Sequence, residues 1–300
     1  MLLILKNRRT ASVNIEASLR LLGDHLDKNA SPFVVSSCEE VEVYIETGKV
    51  SIFVEKQPLD DFTSIFVRKV GTHSVAAFIL ASYAKKNSIG FVDDFRQNTR
   101  SRTKLIQTFL LSSHDIAVPK TYFSPDYNEA HLVHAAEFLN FPVVVKQCSI
   151  SRGAGVALAR DHAELAEKVE SFRAQSPSKT IILQEFIANT FEYRVFVTGN
   201  TIATAERKRR SDENEFRNNV YLGAKEEFFD PSELKPSVAL TALKAAHIVG
   251  IQVAGVDTVE NNDGIPVVFE VNSCPGFTLD ETISDEIKML SRYLMLCAKR

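Results

Sequence analysis

The chain has 300 residues, 45% of them hydrophobic, enough for about two ordinary domains with a substantial core. Its 35 Lys and Arg against 38 Asp and Glu leave a net charge of −3, a balance that asks for no nucleic-acid partner, and no apolar run is long enough to span a membrane as a helix. The amino terminus is apolar from Met1 to Leu5 and then basic at Lys6, Arg8 and Arg9, the reverse of a secretory signal, which points to a cytoplasmic protein.

Residues 1–5 read as a strand and 14–26 as a helix, with further short strands at 33–36, 41–46 and 64–68. A second helix at 74–86 carries Val75, Phe78, Ile79 and Tyr83 on one face and leads to a strand at 90–92, so the chain opens with an α/β unit. From 98 to 113 the pattern predicts a helix with Arg100, Arg102 and Lys104 in its first turns. Cations there oppose the helix dipole, which suggests a bound phosphate.

A helix at 128–139 is followed by a strand at 142–147, the loop Ser149 to Gly155 and a strand at 156–159. A Walker A loop needs a helix after its glycines, and here a strand follows, so this is a hairpin and not a P-loop. Then come a helix at 163–173, a strand at 180–186, two strands between 192 and 206 hinged at Thr198-Gly199-Asn200, and a polar stretch from 207 to 219. A helix at 237–249, a hairpin from 253 to 271 and a helix at 284–297 complete the chain. The basic run Arg207 to Arg210 is too short on a net-acidic chain to define a nucleic-acid patch, and either Lys208 or Arg209 can face inward.

The four cysteines, 38, 148, 274 and 297, show neither C-x-x-C nor zinc spacing and read as buried free thiols; His131 and His134 lack a neighbouring metal partner. The last hairpin is more informative. Asn261-Asn262-Asp263-Gly264 is a strong turn signal, and a symmetric turn pairs Glu260 with Ile265, which sets Asp257 opposite Val268 and diagonal to Glu270. Asp257, Glu270 and Asn272 then share one face. Two carboxylates and an amide oxygen close together call for a hard cation between them, Mg²⁺ or Mn²⁺.

In order and spacing, several segments between about residue 64 and residue 279 resemble the ATP-grasp superfamily, and within it the RimK-type amino-acid ligases. They are Val67-Arg68-Lys69-Val70-Gly71-Thr72, Arg100 to Lys104, Val143-Val144-Val145-Lys146, Ser151-Arg152-Gly153-Ala154-Gly155, and Leu183-Gln184-Glu185-Phe186-Ile187. Further along are Glu192-Tyr193-Arg194, Glu215-Phe216-Arg217-Asn218-Asn219, Gly255-Val256-Asp257 and Phe269-Glu270-Val271-Asn272-Ser273-Cys274-Pro275-Gly276.

The resemblance implies a mixed α/β ATP-grasp fold. An amino-terminal pre-ATP-grasp domain at 1–95 would precede a central lobe with the phosphate flap at 96–184 and a carboxy-terminal lobe with the metal site at 185–300. It implies ATP and Mg²⁺ (or Mn²⁺) as cofactors. Lys104 and Lys146 would meet the phosphates, and the flap with Ser151, Gly153 and Gly155 would close over them. Gln184, Glu185, Phe186 and Ile187 would line the adenine, Glu192 would reach the ribose, and Asp257, Glu270 and Asn272 would hold the metal.

RimK-type ligases activate a carboxylate with ATP as an acyl phosphate, which an amine then attacks. Arg194, Arg217 and Asn219 are the candidates for stabilising those anions. The implied partners are amino-acid or peptide carboxylate and amine substrates, with a homo-oligomer compatible and no nucleic acid or membrane. The alternative is an ATP-grasp kinase acting on a hydroxyl, which would share every nucleotide residue. One departure stands out. Where the family continues its R-x-N segment with His or Arg and two glycines, this chain has Val220-Tyr221-Leu222-Gly223-Ala224, which takes a candidate carboxylate-binding cation out of the pocket.

Overall fold

A computed structural model describes residues 1–9, 12–71, 73–93, 103–148, 155–212, 215–218 and 223–299. The amino-terminal part is a parallel sheet in the order β2-β1-β6-β7, formed by β1 (Leu2–Lys6), β2 (Phe33–Ser37), β6 (Ser64–Val67) and β7 (Gly90–Val92). Leu2 to Leu5 are all fully buried, as expected of a parallel strand covered on both faces. Helix α1 (Val13–Lys28), capped by Ser12, and α2 (Ser74–Lys86) connect the strands. Between β2 and β6 lies a small antiparallel sheet of β3 (Val41–Glu46), β4 (Lys49–Val54) and β5 (Gln57–Pro58).

Helix α3 (Lys104–Ser112) begins with Thr103 as its N-cap, so Lys104 is its first residue. The expected start at 98, and with it Arg100 and Arg102, lies outside the described residues, as does the expected domain boundary at 95. A second antiparallel sheet follows in the order β10-β9-β11-β8, from β8 (Thr121–Tyr122), β9 (Val143–Gln147), β10 (Val156–Ala159) and β11 (Ile181–Glu185). Helices α4 (Glu129–Leu139) and α5 (His162–Gln175) cover one side of it with their own apolar cluster, Leu132, Leu139, Val143, Val145, Leu165 and Leu183 among its members.

The third layer is a five-stranded antiparallel sheet, order β14-β13-β12-β15-β16, from β12 (Glu192–Thr198), β13 (Thr201–Arg209), β14 (Lys225–Phe229), β15 (Val253–Glu260) and β16 (Pro266–Asn272). The polar stretch expected from 207 instead begins as strand, because β13 runs on to Arg209. Helix α6 (Pro236–Val249) lays Val238, Ala242, Ala245, Ala246 and Val249, spaced as one helical face, on this sheet and ends at Gly250, whose φ of 76° is the left-handed turn that glycine accepts without strain. Helix α7 (Glu286–Ala298) returns to pack with α1, and its Leu290 and Leu294 join Leu2, Ile4, Phe66, Phe196 and Val253 in one core. The amino-terminal sheet and the five-stranded sheet are therefore held by shared apolar burial.

Strand β16 is an edge, and α3 closes it. The Gln107 side chain donates Nε2 to the Val271 carbonyl at 3.0 Å and accepts the Val271 N–H at 3.2 Å, as a neighbouring strand would. Gln107→Leu would strip both backbone groups of their partner inside a buried seam. The expected outcome is a loss of about 1–3 kcal/mol in unfolding free energy at unchanged m-value. An unchanged denaturation midpoint would contradict this role.

Candidate functional site

Four neighbouring strands set one charged side chain each in a single row. Glu206 of β13 pairs with Arg194 of β12, Arg194 with Asp257 of β15, and Asp257 with Glu270 of β16. The flanking residues Tyr193, Val195, Ala205, Val256 and Val271 go into the core under α6, so strand alternation turns the four charges to the opposite face. Arg194 grips Asp257 with two bonds, Nε to Oδ1 at 2.7 Å and Nη2 to Oδ2 at 2.8 Å, and lies 3.7 Å from Glu206.

Beside that row, Lys208 pairs with Glu192 in register. Its ammonium stands 3.2 Å from Asp257, 3.5 Å from Glu192 and 3.6 Å from Glu206, with the residue 2% exposed. Arg209 is exposed, so Lys208 is the inward cation. Strand periodicity carried through the basic run would have found it.

The hairpin differs from the symmetric turn expected of it. Oδ1 of Asn261 accepts the N–H groups of Asp263 and Ile265, and pairing begins with Glu260 opposite Pro266. Thr258 then pairs with Val268, and Phe269 is left over as a one-residue bulge before Asp257 meets Glu270 directly. The bulge sends Val268 into the core with Val271 and turns Phe269 toward the central lobe, where the Lys146 ammonium lies 5.2 Å from its ring centroid. Asn272, two residues past Glu270, pairs with Gly255, and its Oδ1 accepts the N–H of Cys274 at 2.9 Å.

The electrostatics follow from burial. Burial raises the Asp257 carboxyl, but Arg194 and Lys208 outweigh it and hold the group well below the usual carboxylate range. Burial, reinforced by the charge of Asp257, pushes Glu192 up to about 7 despite Lys208 and Arg194. Glu206 is pushed by burial to about 7, and so is Glu286, which accepts the Thr278 N–H at 2.8 Å. Lys146 is pulled down to about 8 by burial and by the nearby Lys104, against Glu270 and Glu192. Lys104 itself forms an ion pair with Oε2 of Glu270.

These residues fit a nucleotide polyphosphate with a divalent cation. Asp257 and Glu270 face each other across a strand pair with like charge, and Asn272 adds a third oxygen, the all-oxygen set that suits a hard cation. Among the described residues Oδ1 of Asp257 accepts from both Arg194 and Lys208 and Oδ2 from Arg194 alone, which leaves it a lone-pair direction. Among the described residues no three His, Cys, Asp or Glu side chains converge as a ligand group. The half-buried ammonium groups of Lys104 and Lys146 repel each other, an arrangement a polyanion would relieve.

The other expected site residues are less uniform. Gln184 is 2% exposed and its Nε2 donates to Thr121 Oγ1 at 2.8 Å. The N–H of Glu185 is already donated to the Lys120 carbonyl at 3.0 Å, while the Glu185 carboxylate accepts the Lys120 N–H, so that N–H does not face adenine. The Ile187 carbonyl accepts Nδ2 of Asn189, and Phe186 meets Phe216 edge to face with centroids 6.4 Å apart. Gly155 closes the β9–β10 hairpin by accepting the Gln147 N–H at 2.8 Å.

Arg217 is not gathered onto Asp257 with Arg194. It forks the carboxylate of Glu215 with two bonds of 2.7 Å, and its Nη1 reaches the Val156 carbonyl at 3.4 Å, beside the flap strand. Ser151, Gly153 and Asn219, and the departure at 220–222, lie outside the described residues. None of the four cysteines, all among the described residues, forms a disulfide; Cys38 and Cys148 are buried as expected, but Cys274 and Cys297 are only half-buried.

A family model described as a RimK-like ATP-grasp domain matches residues 100–291. A probable alpha-L-glutamate ligase of Syntrophotalea carbinolica is 35% identical over 254 residues, 81% of this chain and 80% of that protein. Another, of Rhodopirellula baltica, is 31% identical over 232 residues, 76% of this chain but 55% of that protein's length, so the match takes in little more than half of this relative. Among solved structures, the ATP-grasp ligase PsnB complexed with a phosphomimetic variant of a minimal precursor, Mg and ADP superposes with a TM-score of 0.73 at 16% identity, over 99% of this chain and 98% of that one. The fold is thus the mixed α/β ATP-grasp fold. The chain belongs to the RimK-like ATP-grasp family.

The raised carboxyl of Glu286 gives a signed pH dependence. Its folded value of about 7 lies above the ordinary 4.5, so the native state binds the proton more tightly than the unfolded chain, and its contribution to stability is lost as the pH rises from about 4.5 through 7. Without added nucleotide or metal, Glu286→Gln should melt with the unsubstituted protein at pH 5 and above it at pH 8. A melting difference that is the same at both pH values would contradict the assignment.

Proposed function

We propose that the protein is an ATP-dependent carboxylate–amine ligase. It would couple an amino acid to a peptide, protein or small-molecule partner through an acyl phosphate, with release of ADP and phosphate. The observation that carries this reading is the direct pairing of Asp257 with Glu270, faced by Lys104 and Lys146 from the start of α3 and from the central sheet. Two like charges in adjacent strand positions are destabilising unless a cation joins them, and the lysines supply the complement for phosphates beside it. Bound ATP with a divalent cation supplies the phosphoryl group that activates the carboxylate.

The chain's own residues do the rest. Residues 1–95, 96–184 and 185–300 act as amino-terminal, central and carboxy-terminal parts of the site. Asp257, Glu270 and Asn272 hold the metal, Lys104 and Lys146 neutralise phosphate charge, and Glu192 reaches the ribose. Gln184 to Ile187 line the base, with the Gly155 hairpin above the phosphates. Arg194 and Lys208 keep Asp257 ionised and concentrate positive charge where an anionic substrate approaches. Arg217, partly exposed, exchanges Glu215 for that anion, with Asn219 beside it. The names of the relatives support an amino acid as substrate, and a second PsnB structure, complexed with a precursor peptide, supports a peptide as one class of partner.

The test is an incubation with ATP, Mg²⁺, candidate acids and hydroxylamine in place of the amine. Hydroxamate with stoichiometric ADP and phosphate is expected. Pyrophosphate would refute the acyl-phosphate route, and a stable phosphate ester formed without an amine would make the protein a kinase. Lys146→Met should lower kcat/KM for ATP by about a hundredfold or more, in line with removal of a buried charge that meets the developing anion. A change of only a few-fold would leave Lys146 a structural residue. Arg217→Met should reduce hydroxamate formation by roughly a hundredfold with little change in ATP affinity; an equal loss in both would place Arg217 on the nucleotide instead.

A further inference from the structure

Arg68 directly follows β6 of the amino-terminal sheet and is 3% exposed, and its guanidinium contacts one short loop of the other domain. Nη2 donates to the Pro275 carbonyl at 2.6 Å, Nη1 donates to Cys274 Sγ at 3.1 Å, and the guanidinium carbon sits 4.1 Å above the Phe277 ring. That loop begins at Asn272. We propose that Arg68 is a positioning residue for the metal site, holding the Asn272–Phe277 segment so that the Asn272 carboxamide stands beside Asp257 and Glu270. The proposal rests on the ligase reading above and extends it across the domain boundary.

Two routes join the guanidinium to the ligand. Cys274, touched by Arg68 through its sulfur, donates its N–H to Oδ1 of Asn272 at 2.9 Å, which fixes the orientation of that amide and leaves its oxygen a second lone pair. Pro275, touched through its carbonyl, packs against Gly255, where a Cβ would lie 2.9 Å from the proline Cβ and 3.6 Å from Cδ and Nε of Arg194. Gly255 is also the strand partner of Asn272. A shift of the loop would therefore reach Asn272 along both its side-chain bond and its backbone pairing.

Cohesion between the two domains does not require this arginine. Leu2, Ile4, Phe66 and Val92 already meet Phe196, Val253, Phe277 and Leu290 in a common apolar core. Burying a guanidinium is unfavourable, and burial does depress its basicity here despite the fields of Cys274, Asp93 and Glu286. What the planar fork adds is direction: two donors and a stacking face fix the loop in a way that a lysine, with a single ammonium, does not reproduce. Partners that orient a metal ligand without touching the metal typically contribute about 10–100-fold in affinity.

The experiment is Mn²⁺ binding to the full chain with saturating ADP, followed by electron paramagnetic resonance, for the unsubstituted protein, Arg68→Lys, Asn272→Ala and the double variant, with melting temperatures recorded alongside. Arg68→Lys should weaken Mn²⁺ binding by about tenfold or more. In the Asn272→Ala background the same change should add almost nothing, because the two act on one ligand. If Arg68 merely joins domains, Arg68→Lys will melt lower while its Mn²⁺ isotherm overlays that of the unsubstituted protein, and the proposal falls. It falls equally if the two losses multiply.

Should Arg68→Lys not fold, Phe277→Leu removes the stacking face and keeps the carbonyl bond. A smaller shift in the same direction is expected there, and an unchanged isotherm counts against the proposal just as fully. No Mn²⁺ binding by the unsubstituted chain would overturn the ligase reading and the proposal with it. Binding that Arg68→Lys leaves intact overturns the proposal alone.

Discussion

Arg194 sits between Glu206 and Asp257 on a row that ends with Glu270, so the charges across four strands run negative, positive, negative, negative. The first three largely satisfy one another through the paired bonds of Arg194 and the ammonium of Lys208. The last pair does not, and Glu270 is offset from other elements, by Lys104 in an ion pair and by the field of Lys146. An antiparallel sheet is rigid enough to keep two carboxylates adjacent against their repulsion, and that enforced adjacency is what a divalent cation can use. The bulge at Phe269 is the geometric condition for it, because an unbroken register from Thr258 opposite Val268 would have set Asp257 against Phe269.

The remaining architecture serves that row from three directions. Helix α6 covers the opposite face and shares one apolar core with it. Helix α3 is pinned to the edge strand through Gln107, which delivers Lys104 one turn earlier to Glu270. The amino-terminal sheet shares a core with the five-stranded one and adds bonds at its carboxyl edge: Arg68 to the 274–275 loop, and Asp93, whose Oδ1 accepts the N–H groups of Gln252 and Val253 at 2.9 and 3.0 Å. The sheet that bears Lys146 has a separate apolar cluster of its own, and its Lys146 meets the carboxy-terminal lobe at Phe269. Lys146 and the metal-binding candidates thus belong to separately packed bodies that face each other, whereas Lys104 stands on α3 with the metal-binding sheet.

Much of the element order was legible because its signals are local. Leu2 to Leu5, the Asn128 and Asp161 caps of α4 and α5, and the Asn261 turn act within a few residues. Short strands such as β5 and β8 were not legible, since two residues carry no period. The extension of β13 through Arg207 to Arg209 was hidden because its alternation is one of charge burial, Lys208 inside and Arg209 outside, rather than of apolar and polar residues. The bulge at Phe269 and the cross-domain reach of Arg68 depend on partners far along the chain, and nothing in the neighbouring residues announces them. Arg217 shows a further limit: its spacing resembles that of a site cation, and the sequence did not announce that its guanidinium forks the carboxylate of Glu215 two residues away.

The central claim is that Asp257, Glu270 and Asn272 form one divalent-cation site beside a nucleotide. A crystal structure with Mn²⁺ and ADP, collected at the manganese absorption edge, tests it most directly. The account predicts an anomalous peak about 2.1–2.3 Å from oxygens of Asp257 and Glu270, with Asn272 in the same shell, Lys104 withdrawn from Glu270 and the phosphates between Lys104 and Lys146. Bound ADP with no anomalous density near Asp257, and with Glu270 still paired to Lys104, would contradict it.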